Sequence, residues 1–239
     1  PSIRILDMSR IGPILTYEDE TVRKGPPVTA MLVQNTNPAA VAPDTHRVLR
    51  GLRREDLFLC VHEQFMTETA QHADVVLPAT TFLEHDDIYQ AGGQVHIQVH
   101  RAIIDPPGET RSNHWVNCEL AKRLGAVHPG FEMTEWELVD RTLRDSGWPG
   151  ADEVLEKKWH DVQPSFEDSH FLNGFPTPSG KYRFRADWSA MGPLGHMLPT
   201  MPDHCRTIDE ATEDRPFRMI TSPARNFLNS SFTETPTSK

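Results

Sequence analysis

The chain has 239 residues, enough for one large domain or two ordinary ones. Its 24 Lys and Arg are outnumbered by 34 Asp and Glu, giving a net charge of −10, a poor match for a general nucleic-acid binder, which needs a cationic surface. Hydrophobic residues make up 37%, and no apolar run approaches the ~20 residues that span a bilayer, so the sequence contains no transmembrane helix.

Residues 1–27 are mixed, with turn signals at Gly12-Pro13 and Gly25-Pro26-Pro27, and read as an incoming connection. Val28-Thr29-Ala30-Met31-Leu32-Val33 is a short apolar, β-branched run that predicts a strand, stopped by Gln34-Asn35-Thr36-Asn37-Pro38. Pro43-Asp44 opens a helix with Val48, Leu49 and Leu52 on one side. Leu57-Phe58-Leu59-Cys60-Val61 predicts a second strand. After the loop His62-Glu63-Gln64-Phe65-Met66, Thr67 can cap a short helix through Ala73. Asp74-Val75-Val76-Leu77-Pro78 predicts a third strand, ended by its proline. Strand, helix, strand, helix, strand with short links is the pattern of an α/β fold with a parallel sheet buried on both faces. Ligands of such sheets bind beyond the carboxyl ends of the strands. The polar loops 34–38, 62–67 and 79–87 fall there, and none contains G-x-G-x-x-G.

Gln94-Val95-His96-Ile97-Gln98-Val99-His100 alternates polar with apolar and predicts a half-exposed strand. Ser112 caps a helix from Asn113 to Leu124, with Trp115, Cys118, Ala121 and Leu124 inward and Gly125 as its stop. Thr134-Glu135-Trp136-Glu137 is a capping box for a helix with Trp136, Val139 and Leu143 inward. A further helix is expected over Asp152–His160. Residues 161–215 turn loop-like, with one strand near Tyr182–Arg185, and Phe217-Arg218-Met219-Ile220-Thr221 starts a new strand.

Several constellations invite a chemical reading. Asn35 and Asn37 can hydrogen-bond a base, ribose or phosphate, or merely make turn chemistry before Pro38. Glu63, at a strand end, can accept ribose hydroxyls or a base N–H edge, and Thr67 can meet a phosphate; the plainer reading is a cap and a solvated loop. Glu84-His85-Asp86-Asp87 with His96 and His100 suggests a metal, but His96 and His100 would stand roughly 13 Å apart at ~3.3 Å per residue. Neither H-E-x-x-H nor a G-x-S-x-G elbow occurs. Cys60, Cys118 and Cys205 are far apart and form no C-x-x-C pair, so they support no disulfide framework, structural zinc or iron–sulfur site. Cys60 lies inside an apolar strand and reads as inert core.

Three stretches carry a family resemblance. Met31-Leu32-Val33-Gln34-Asn35-Thr36-Asn37-Pro38, residues 57–84 and residues 111–125 resemble the molybdopterin oxidoreductases, the superfamily of DMSO reductase, formate dehydrogenase and nitrate reductase. The run Thr67-Glu68-Thr69-Ala70 through Ala73-Asp74-Val75-Val76-Leu77-Pro78 resembles one of its most specific motifs. Thr177-Pro178-Ser179-Gly180-Lys181 resembles the segment before the family's C-terminal domain, and residues 217–232 the start of that domain. The resemblance implies a Rossmann-like dinucleotide-binding domain over 28–130, a helical and loop-rich connecting segment over 131–215, and the start of a C-terminal β-barrel domain over 216–239.

It also implies one molybdenum or tungsten between two pyranopterin guanine dinucleotides, with this chain holding part of one guanosine and pterin site. By position, Asn35 or Asn37 follows the first strand, and His62 and Glu63 follow the second, with Thr67 nearby. His85 stands where relatives often carry Lys, and Asn113 where many carry Asp. Thr221, Ser222, Arg225, Asn229 and Ser230 match a turn that lies over a pterin. No residue is implied as catalytic or as a metal ligand. Asp87-Ile88-Tyr89-Gln90-Ala91 departs from the usual Gly-Thr-Phe-x-Asn, and His62-Glu63 from a commoner Gln-Asp or Ser-Asp pair. The family's metal ligand, and the Cys cluster that holds an iron–sulfur centre where one exists, belong to earlier segments. The expectation is therefore a middle-to-late fragment, inactive alone, of a bacterial enzyme with a small-molecule substrate and an electron-transfer partner. That enzyme would be cytoplasmic, or periplasmic if exported. The alternative is a non-catalytic Rossmann-like nucleotide-binding or scaffold protein.

Overall fold

The computed structural model describes residues 4–188, 195, 198–203, 210–226, 228–233 and 235–237. The chain divides into two compact units, Pro1–Val162 with Arg225–Lys239, and Gln163–Ala224.

The first unit begins with α1 (Ile11–Leu15) and α2 (Glu20–Arg23), which occupy the stretch expected as a mere connection. Then follow β1 (Ala30–Gln34), α3 (Pro38–Val41), α4 (Thr45–Leu52), β2 (Phe58–Glu63) and β3 (Val75–Pro78). The three strands form a parallel sheet in the order β1-β2-β3, with Leu32 opposite Cys60 and Cys60 opposite Val75. The mixed α/β class read from the pattern is thus the one observed. Thr67 caps only a single 3-10 turn, Ala70–His72, rather than a helix through Ala73.

Alternation along the strands decides where the core lies. Val33, Leu59 and Val61 project to one side and pack with Leu15, Val48 and Leu52 of α1 and α4. On the other side Leu32 is 40%, Phe58 52% and Val75 38% exposed. The expected burial on both faces is corrected: among the described residues, helices pack on the Leu59 face, and the other stays open at Leu32, Phe58 and Val75. On the covered face, α1 and α4 meet at glycine. A Cβ built on Gly51 would lie 2.4 Å from Leu15 Cβ, so only a bare backbone allows this approach.

A second, smaller core sits in the same unit. β4 (Asp87–Gln90) pairs antiparallel with β5 (His96–His100), and β5 with the two-residue β6 (His160–Asp161). α5 (Asn113–Leu124), α6 (Glu135–Asp145) and α7 (Ala151–Lys157) accompany them. Ile97 and Val99 pack against Val139, Leu143, Ala151 and Val154. Residues 131–162 therefore share a core with the β4–β5 hairpin, and position 130/131 is no break in packing. Ser112 caps α5 by accepting from Trp115 N at 3.2 Å, Gly125 ends it at φ 67°, and Thr134 and Glu137 form the capping box of α6.

The inward stripe expected on α5 is corrected. Val116 and Ala121 are buried, whereas Trp115 is 46% and Leu124 80% exposed. A stripe repeating every three residues drifts round a helix of 3.6 residues per turn, so it cannot stay on one face.

Among the described residues of the second unit, the helical element is the short α8 (Phe166–Ser169). The strand expected near Tyr182–Arg185 is irregular chain, where Phe175, Tyr182 and Phe184 meet edge to face instead. The strand expected over Phe217–Thr221, as the start of a barrel, is also irregular, with Phe217 and Ile220 both 91% exposed. A strand exists only where a neighbour takes its backbone hydrogen bonds, and none of the described residues pairs with this run.

Candidate nucleotide site

The parallel sheet delivers four residues to one place. Asn35 follows β1, Gln64 follows β2, and Ala79-Thr80 follows β3. All of them line a cavity of about 240 Å³, together with Phe82, His85, Asp87, Tyr89 and Asn113. This is the carboxyl edge of the sheet, where the strand pattern places a ligand. Asn35 adopts φ 57°, a left-handed turn that Asn tolerates better than most residues.

The cavity wall is tied together by polar contacts. Gln64 Nε2 donates to the Thr80 carbonyl at 2.8 Å. Thr80 Oγ1 lies 2.8 Å from His85 Nδ1, and His85 Nε2 lies 3.5 Å from Asp87 Oδ2. Asn113, the first residue of α5, also lines an adjoining cavity of about 210 Å³ with His85, Asp86 and Glu135. Its Oδ1 is buried and has no hydrogen-bond partner among the described residues. Such an orphan acceptor costs roughly 1–3 kcal/mol, which a ligand N–H would recover.

Other expected residues have different placements. Asn37 is buried and its amide is taken internally: Oδ1 accepts from Thr69 N at 3.2 Å and Thr69 Oγ1 at 2.7 Å, and Nδ2 donates to Glu68 at 2.7 Å. Between Asn35 and Asn37, it is Asn35 that reaches the cavity. His62 is fully buried below the rim. Its Nε2 donates to the Arg111 carbonyl at 3.0 Å and its Nδ1 accepts from Gln34 at 3.2 Å, so it pins β1, β2 and the segment before α5 together. Glu63 is half-buried, with Oε1 accepting from Gln64 N at 2.8 Å. Thr67 Oγ1 accepts from Ala70 N as a cap. Thr221 and Ser222 are exposed in the second unit. Arg225, Asn229 and Ser230 belong to the closing segment of the first, where Asn229, at φ 51°, sits in the turn closed by Ser231 N to the Leu228 carbonyl.

Sequence reasoning missed Gln64, Thr80, Phe82, Asp87 and Tyr89. The signal was present for Asp87 and Tyr89, which share one face of β4 by strand alternation. For Gln64 and Thr80 the signal was position alone: both lie in the loops 62–67 and 79–87 that the strand pattern puts at the carboxyl edge. The metal constellation does not gather. His96 meets Trp159 edge-on and His100 stacks on Tyr89, and no group of three His, Cys, Asp or Glu able to hold an ion occurs among the described residues. Cys118 Sγ stands 3.5 Å from His114 Nε2, but that nitrogen contacts the Met133 carbonyl at 2.7 Å, and burial pushes the thiol pKa up, opposite to an activated nucleophile. No helix among the described residues is long and apolar enough to cross a membrane.

Comparison with known proteins relates the chain to a family. Residues 11–123 match the family model for the molybdopterin oxidoreductases. The chain is 33% identical over 232 residues to the probable oxidoreductase YoaE of Bacillus subtilis, covering 96% of this chain and 32% of that protein. It is 34% identical over 152 residues to the dimethyl sulfoxide/trimethylamine N-oxide reductase of Cereibacter sphaeroides, covering 60% of this chain and 17% of that one. The acetylene hydratase of Pelobacter acetylenicus has a similar fold, with a TM-score of 0.63 at 22% identity over 88% of this chain and 27% of that one. The chain thus spans a third or less of the length of these relatives. With the segment 11–123 as its carrier, the chain belongs to the molybdopterin oxidoreductase family.

Proposed function

We propose that this chain supplies part of the guanosine end of a bis-pterin guanine dinucleotide site in a molybdenum or tungsten oxidoreductase. The observation that carries the reading is the ring of Asn35, Gln64, Thr80, His85 and Asn113 beyond three parallel strands, with the orphan Oδ1 of Asn113 among them. These donors and acceptors fit the polar edge of a nucleobase and its ribose. Asn113 Oδ1 would accept from a base N–H, and Asp87 from a second N–H or a ribose hydroxyl. Thr221, Ser222, Asn229, Ser230 and Arg225 are proposed for pterin edges or pyrophosphate, where an Arg fork suits phosphate oxygens. When bound, the metal–pterin group supplies two-electron redox or oxo transfer on a small substrate, and the protein supplies orientation and electrostatics. An electron-transfer partner and a β-barrel domain continuing from residues 216–239 complete the proposed whole protein. None of the residues named here is proposed as catalytic.

Titration with GMP tests the reading. A ligand bound only by the folded state raises stability by about 2.7 kcal/mol at a hundredfold excess over Kd. GMP is expected to raise the melting temperature of the chain, and Asn113→Leu to abolish the rise. Melting curves that stay fixed as GMP is added would overturn the proposal.

A further inference from the structure

Tyr89 stands apart from the polar groups around the cavity. It lies on β4 and lines the cavity with Asp87, two residues earlier on the same strand face. On β5, His100 pairs with Asp87, so it stands diagonal to Tyr89 on that face. The two rings are stacked, 5.1 Å between centroids and 14° from parallel. Their polar atoms are already engaged. His100 Nδ1 donates to the Arg101 carbonyl at 3.0 Å, which leaves Nε2 as an acceptor for the Tyr89 hydroxyl at 2.8 Å. Burial, and then the Asp87 carboxylate, raise the phenol's pKa above its usual value, so it remains a donor. The hydroxyl is thus held by His100 and one ring face stacks on it, so what Tyr89 has left to offer a ligand is its other π-face. A second aromatic residue of the same cavity, Phe82, is also largely exposed.

We propose that Tyr89, held in orientation by His100, is a stacking wall that makes this cavity select a nucleotide by its planar base rather than any phosphorylated ribose. The proposal rests on the nucleotide reading above and adds to it the group that recognises the base plane. Aromatic rings stack on any base, and truncating such a ring weakens binding severalfold or more. The surrounding amides then choose among bases by their hydrogen-bonding edges. In this division of labour His100 is a positioning residue: it touches Tyr89, not the ligand.

The test compares GMP with ribose 5-phosphate by calorimetric titration of the chain and of Tyr89→Leu, Tyr89→Phe and His100→Ala, each checked for folding by circular dichroism. Tyr89→Leu is expected to weaken GMP at least about fivefold. Tyr89→Phe should stay within about threefold, since it keeps a π-face. His100→Ala should fall between the two, and ribose 5-phosphate should bind all four proteins alike. Unchanged GMP affinity in Tyr89→Leu would overturn the stacking wall and leave the nucleotide reading standing. Equal losses of GMP and ribose 5-phosphate in Tyr89→Leu would also overturn it, by showing a structural role. A wild-type chain that binds neither ligand would overturn both readings.

Discussion

At the scale of single residues, Asn37 is a clamp, and its removal has two separable effects. Asn37→Ala strips the buried Thr69 backbone N–H and hydroxyl of their shared acceptor. The expected cost is about 2–3 kcal/mol in urea unfolding, since a buried donor left unpaired is penalised in full. The second effect is on pH dependence. The Asn37 hydrogen bond, followed by one from the backbone, holds the Glu68 carboxyl below its usual 4.5. A carboxyl lowered in the folded state stabilises above its unfolded pKa, and that contribution disappears as pH falls through the folded value. Asn37→Ala should therefore lose less stability than wild type between pH 4.5 and more acid conditions; equal acid slopes would refute this. The choice between Asn35 and Asn37 was not legible in the sequence. Both are polar residues after a strand, and what separates them is the left-handed turn at Asn35, a property of the chain path. The same holds for Glu63 and Gln64: the carboxylate at the strand end folds back on its neighbour's N–H, and the next residue reaches the cavity.

Among the elements, those with their own punctuation were the ones legible in the sequence. Ser112 and Gly125 bound α5, the capping box opens α6, and Asp44 caps α4 by accepting from Arg47 N at 3.3 Å. The three parallel strands were visible as short apolar runs, each closed by polar residues or proline. Elements that depend on a distant partner were not: α1 exists because Ile14 and Leu15 are buried, and Leu15 joins the core with α4, a pairing no local pattern announces. The run Phe217–Thr221 shows the converse, a strand-like composition without a strand beside it. The α1–α4 contact gives a sharp prediction. Ala is ordinarily a better helix former than Gly by about 1 kcal/mol. At Gly51 the added methyl would meet Leu15 Cβ at 2.4 Å, so Gly51→Ala should instead destabilise, by about 1–3 kcal/mol as overpacking does. Gly51→Ala with Leu15→Gly should cost less than the sum of the single changes in a double-mutant cycle, because removing the Leu15 Cβ makes room for the new methyl.

On the scale of the whole molecule, the parallel sheet and the β4–β5 hairpin each have their own core, and the cavity is lined by residues from both. The acidic balance of the sequence argues against nucleic acid as a partner, while the proposed ligand is one nucleotide of a cofactor. The sheet carries a further consequence on its open side. Leu32, Cys60 and Val75 are neighbours in one cross-strand row, with a thiol at the centre. Burial raises the pKa of that thiol, so little of it is thiolate near neutrality. In a chain carrying Cys118→Ser and Cys205→Ser, maleimide labelling of Cys60 should run slower than in the urea-unfolded chain and accelerate as pH rises; equal rates would refute this. The thiol then works as a built-in tachometer for the uncovered face. Anything that comes to rest on Leu32 and Val75 must also slow the chemistry between them.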